Sequence, residues 1–215
     1  MNFLFPLLAA LLQAGSQTID KMVLALRGVN YQTYNGANFL FFFALLAIAA
    51  VVQPPFSLAL FEGKLLWLVI ASVILILVNN LLYYRALDAD RLSELQLIGI
   101  LYYVPAVLYA GILFADEQNI VIFTLALVVS AAIVWSHWEH HHFHVRRLTA
   151  PYLVWAVTIA PFQEVIIKEL LRTWHPLTFL LVTNAAMALL LFPLFLRHAQ
   201  QISSRAWHLL IATNI

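Results

Sequence analysis

The chain contains no cysteine, which excludes disulfides, thiolate metal sites and cysteine nucleophiles together. Charge is nearly as scarce: Asp, Glu, Lys and Arg make up 10% of the 215 residues, against about 25% in soluble domains. Net charge is +1, so no basic face exists to neutralise phosphates, and a nucleic-acid partner is excluded. There is no phosphate-cradling glycine loop, no HExxH pair and no Ser/His/Asp set at a recognisable spacing. The chain therefore does not read as an enzyme, and nothing in it requires a cofactor or a metal. A signal peptide is also missing. The opening MNFLFPLLAALLQAG has no positive n-region and stays apolar past any cleavage site, so it reads as a first spanning helix.

What the chain does have is apolar residues, 64% of the total, against roughly 45–50% in soluble domains. A soluble protein of this length could not hide that surface, so the sequence predicts an integral membrane protein whose first partner is the lipid bilayer. A spanning helix needs about 20 mostly apolar residues. Such runs lie near 3–26, 34–53, 64–84, 93–114, 119–137, 149–172 and 177–196. The breaks between them are short, which makes consecutive helices antiparallel neighbours in an all-α polytopic bundle. After Arg205 an eighth apolar run, AWHLLIATNI, supplies about half a span. The expectation is a truncated copy of something longer.

Polar side chains within the apolar runs are the informative ones, because polar groups at membrane depth face a bundle interior or a wet cavity. In the first helix Gln13, Gln17 and Lys21 recur at i, i+4 and i+8 beside Asp20. That stripe serves either hydrogen bonding between helices or a cavity lining. From Asn79 to Gln118 one helix ends in NNLLYYRAL, and a second carries Tyr102, Tyr103 and Tyr109 around Pro105. In the sixth run Glu164, Lys168 and Arg172 repeat the i, i+4, i+8 theme after Pro161. Glu164 and Lys168 have the favourable order for a helical ion pair; alternatively Glu164 is a carboxylate for ion coupling or solute contact. The remaining carboxylates, Asp90 among them, read as solvated helix ends or loops. The stretch HWEHHHFHVRR would put His137, His141 and His144 on one face of a continued helix, and imidazole suits zinc, nickel or copper. A solvated linker is the reading favoured over a metal site.

The segment QTIDKMVLALRGVNYQTYNGANF aligns weakly with QEVIIKELLRTWHPLTFLLVTN, setting Lys21 opposite Lys168, Leu24 opposite Leu171 and, after a gap, Tyr34 opposite Phe179. A repeat of five helices, an odd number, would cross the membrane in opposite senses, as in many secondary transporters. Lys21, Tyr84, Ala86 and Leu87, Pro105 and the terminus ILFADE with Glu117 resemble, in order and spacing, the EamA-like ten-helix members of the drug/metabolite transporter superfamily. The resemblance implies two inverted five-helix repeats: residues 1–140 as the first, 141–148 as a histidine-rich linker, and 149–215 as an incomplete second. It also implies a bacterial inner-membrane location. On one side of the membrane fall Lys21, Arg27, Arg85, Arg91, Arg146, Arg147, Arg197 and Arg205, against Lys64, Lys168 and Arg172 on the other. That bias favours an external N-terminus, whereas the family usually keeps it inside.

The function expected on these grounds is secondary active transport of a small organic metabolite, through a central cavity between helices one, three, four and six. Gln13, Gln17, Asn80, Tyr84, Tyr103 and Glu164 are the expected substrate-binding residues, with Glu164 and Lys168 coupling to an ion. Rings and amides suit an amphipathic or amino-acid-like solute. A homodimer is among the arrangements such a bundle allows. The alternative is a non-transporting membrane subunit or truncated remnant of such a transporter.

Overall fold

The computed structural model describes residues 4–26, 28–51, 61–114, 118–139, 146–199 and 207, and their regular structure is all helical. Eight helices follow in order: α1 (Leu4–Leu24), α2 (Tyr31–Ala50), α3 (Gly63–Ala89), α4 (Leu92–Leu113), α5 (Ile120–Glu139), α6 (Ala150–Thr158), α7 (Ala160–Leu171) and α8 (Pro176–Ala199).

Local chemistry sets several of these boundaries. The Asn30 side chain accepts the Thr33 backbone N–H at 2.8 Å and caps α2, starting that helix three residues before the apolar run at 34–53. Asn119 does the same for α5 through the N–H groups of Val121 and Ile122, at 3.0 and 3.3 Å. Pro151 and Pro161 occupy the first turns of α6 and α7, where a missing N–H costs nothing. Pro161 also explains the main departure from expectation. The sixth run is not one helix over 149–172 but two, bent by 44°, because Pro161 has no N–H for the Val157 carbonyl and its ring crowds that turn.

Among the described residues, α2, α3, α4 and the 176–197 part of α8 are long and apolar enough to cross a membrane, and α6 with α7 makes a fifth, broken span. These account for five of the seven spans expected from the sequence. Helix α1 has 21 residues, but Gln13, Ser16, Gln17, Thr18, Asp20 and Lys21 dilute its second half. Helix α5 has 20 residues, and its continuously described apolar stretch is Ile120–Ala132, the Ile133 side chain lying outside the described ones. The half-span beyond Arg205 falls outside the described residues, apart from Trp207, as do the ILFADE terminus past Phe114 and residues 140–145 of the histidine stretch.

Helix α3 is the hub. Its 27 residues reach roughly 40 Å at 1.5 Å each, and it touches α1, α2, α4, α6, α7 and α8. Its first half joins a core of Val69, Val73, Leu170, Trp174, Phe179, Met187 and Leu191. Its last turns join a second core with Val23, Leu24, Tyr34, Ile98 and Tyr152. The most extensive helix–helix contact is that of α2 with α8, where a Cβ on Gly36 would fall 2.8 Å from the Phe195 Cβ. Outward faces are apolar: Val51 is 85%, Leu189 76% and Trp67 70% exposed, which is the surface a bilayer covers and water does not. The fold is a membrane helical bundle.

Candidate functional site

Two polar clamps hold the C-terminal end of α3. The Lys21 ammonium donates to the carbonyls of Leu87, Asp88 (3.3 Å) and Asp90 (2.8 Å), satisfying carbonyls left over at a helix end and meeting the negative pole of the helix. Asp90, expected to be solvated, is instead buried. Its carboxylate accepts the Arg91 and Arg146 backbone N–H groups, each at 3.1 Å, and the Thr149 hydroxyl at 3.0 Å. The Arg146 guanidinium stands 4.0 Å away and donates to the Ala89 carbonyl at 2.7 Å. Burial raises the Asp90 carboxyl, but these donors and the guanidinium outweigh it and hold it below the ordinary carboxylate value.

Next to this anchor a chain of aromatic and polar groups crosses four helices. The Tyr34 hydroxyl donates to the buried Asp20 carboxylate, and its ring meets Tyr84 edge-on at 5.2 Å. Asn38 donates to the Tyr84 hydroxyl at 3.1 Å. Tyr83 packs edge-on against both Tyr84 and Tyr152, at 5.1 and 5.6 Å. Such geometries suit ring quadrupoles, and they fix the phenols as one wall.

That wall bounds a cavity of about 1120 Å³ between α1, α3, α4, α6 and α7. Gln13, Ala14, Ser16, Gln17 and Asp20 face it from α1, and Asn79, Tyr83 and Tyr84 from α3. From α4 come Leu92, Leu95, Gln96, Gly99, Ile100, Tyr102, Tyr103 and Ala106, one helical face. Tyr152 and Ala156 complete it from α6, with Ala160, Gln163 and Glu164 from α7. The bend between α6 and α7 therefore lies in the cavity wall. Opposite it, Tyr102 and the Glu164 side chain lie side by side in the lining, while Phe162 stacks on Tyr109 at 4.4 Å.

Of the residues expected to bind solute, Gln13, Gln17, Tyr84, Tyr103 and Glu164 share this cavity. Asn80 does not line it; its amide donates to the Ile76 carbonyl at 2.9 Å within α3, and Asn79 lines the cavity instead. One residue turns a side chain by about 100° on a helix, and of the paired asparagines Asn79 is the one in the lining. Lys168 also stands outside the lining, its ammonium 4.2 Å from the centroid of the Phe114 ring, which Arg172 approaches at 5.0 Å. Sequence reasoning passed over Asp20, Gln96, Tyr102, Tyr152 and Gln163 as lining residues. The spacing of Gln13, Gln17 and Asp20 and the adjacency of Tyr102 to Tyr103 were the available signals.

Among the described residues no group of three or more His, Cys, Asp or Glu side chains could hold a metal ion. The metal reading of the histidine stretch rests on His141 and His144, outside the described residues, and on His137, whose side chain is likewise not described. The chain matches no protein-family model, no curated protein and no solved structure.

Proposed function

We propose that the protein is a secondary transporter of a small organic solute, with the cavity between α1, α3, α4, α6 and α7 as its solute site. The observation that carries the reading is the contrast between that cavity and its surroundings. Around it the helices expose aliphatic and aromatic side chains; inside it, among leucines, an isoleucine and alanines, stand amides, phenols and two carboxyl groups. Polar groups of this density at membrane depth are costly unless a solute, an ion or water uses them. A broken span in the wall of such a cavity is a recurrent feature of secondary transporters, because the break places backbone polar groups at the solute and lets one half move against the other.

The inverted-repeat plan belongs to the same proposal. The self-match pairs α1 with α7 and α2 with α8, and α2 and α8 pack directly on each other with Gly36 at the contact. An inner-membrane location and kinship with the EamA-like drug/metabolite transporters rest on the motif resemblance. The test is flux. The purified protein in proteoliposomes should carry at least one solute from a broad labelled metabolite panel, and Glu164→Gln should cut that flux about tenfold or more, as loss of a charged contact does. No flux across the panel refutes the reading.

A further inference from the structure

We infer that the cavity selects an organic cation, an ammonium group on an apolar body, rather than an anion, a neutral solute or a zwitterion. The inference rests on the reading of this cavity as the solute site and names the chemistry the site accepts.

The lining is one-signed. Asp20 and Glu164 contribute carboxyl groups from separate helices, and no lysine, arginine or histidine stands among the described lining residues. The nearest basic neighbours in sequence are directed elsewhere. Lys21, next to Asp20, places its ammonium on the carbonyls of Leu87, Asp88 and Asp90, and Lys168, one turn beyond Glu164, lies over the Phe114 ring. A carboxylate or phosphate entering the cavity would meet two acids and no countercharge. The anionic end of a zwitterion would meet the same.

Acceptor capacity points the same way. A carboxylate offers about four lone-pair directions, and the Glu164 carboxyl lies beside the Tyr102 phenol in the cavity lining. Beside it the Gln163 Oε1 atom is buried without a hydrogen-bond donor. A buried acceptor lacking a donor is costly, and an ammonium brings three donors and no acceptor. Tyr103, 57% exposed, presents its phenol ring along the same face of α4. Ring faces attract a cation and at the same time cover the apolar remainder of the solute.

The experiment is equilibrium dialysis of the purified protein in a neutral detergent at neutral pH, with three labelled probes sharing one skeleton: phenethylammonium, 2-phenylethanol and 3-phenylpropanoate. The expected result is retention of the cation about tenfold or more tighter than either of the others, since a unit charge at hydrogen-bond range separates them. Glu164→Gln, an isosteric change, should abolish that preference, and Tyr103→Leu should weaken cation binding while leaving the order of the three probes unchanged. Equal or tighter retention of the alcohol or the anion overturns the inference. So does absence of cation binding into the millimolar range, or cation binding that neither variant alters. The assay contains no flux step, so the two readings fail separately. A protein that binds the cation but moves nothing in proteoliposomes refutes transport alone; one that transports a neutral or anionic solute and ignores the cation refutes selectivity alone.

Discussion

Asp90 illustrates how a single carboxylate organises one end of this bundle. It lies between α3 and α4, yet its partners Arg146 and Thr149 precede α6, so it ties two distant segments together. Because the folded protein holds its pKa below the ordinary 3.8, the unfolded chain binds the proton more readily. Its contribution is therefore fully present above the ordinary carboxylate value and is lost as pH falls through the folded one. Asp90→Asn should lower stability at neutral pH by about 1–3 kcal/mol, and the gap from the unaltered protein should narrow on acidification. Unfolding in mixed micelles, followed by circular dichroism at several pH values, measures both; a gap that is constant with pH contradicts the assignment. Sequence reasoning placed Asp90 in a solvated loop because nothing local distinguishes it from Asp88. Only the fold brings Arg146 and Thr149 to it. Lys21 is a similar case: the i, i+4, i+8 stripe set it on one face with Gln13 and Gln17, but the carbonyls that hold its ammonium lie 66 to 69 residues away.

Helices were legible where length and apolarity alone decide, and less so where a backbone detail does. The apolar runs located every helix among the described residues, since a run of about 20 apolar residues has few alternatives to a helix in a membrane. The break at Ile159 needed Pro161 to be read as a hinge rather than as one more residue of a span. If the hinge serves movement, Pro161→Ala, which restores an N–H for the Val157 carbonyl, should change stability by no more than about 1 kcal/mol, because Pro161 sits in the first turn of α7. The same change should slow solute flux several-fold, because conformational steps set the rate of many such cycles. Flux equal to that of the unaltered protein would make the bend merely architectural. The α2–α8 contact is the opposite kind of element, one that tolerates no addition. At Gly36 a methyl group would meet the root of Phe195 at 2.8 Å and the Leu191 carbonyl at 3.4 Å, neither of which can swing away. Small residues let membrane helices approach this closely. Gly36→Ala should therefore cost about 1–3 kcal/mol, the usual penalty of overpacking, in the same micelle titration, even though alanine is the better helix former.

The molecule as a whole combines rigid contacts with the open cavity between α1, α3, α4, α6 and α7, and a second glycine separates stability from function. Gly99 lies on the cavity face of α4, between Gln96 and Tyr103. A Cβ built there meets no atom within 4 Å, so a larger side chain would extend into the cavity without pushing on a neighbour. Replacing an interior helical glycine with leucine should gain about 0.8–1 kcal/mol of helix propensity, which predicts that Gly99→Leu unfolds no earlier than the unaltered protein. The same side chain takes up space next to Tyr102 and Tyr103, where the solute is proposed to sit. Cation retention in dialysis and flux in proteoliposomes should both fall, about tenfold or more if the added group excludes a contact of roughly 1.4 kcal/mol. The two glycines thus predict opposite outcomes: Gly36→Ala loses stability at a position outside the cavity lining, and Gly99→Leu loses function with stability intact. Should Gly99→Leu bind and transport normally while folding normally, the solute does not occupy this volume, and the cavity is a packing feature of the bundle instead.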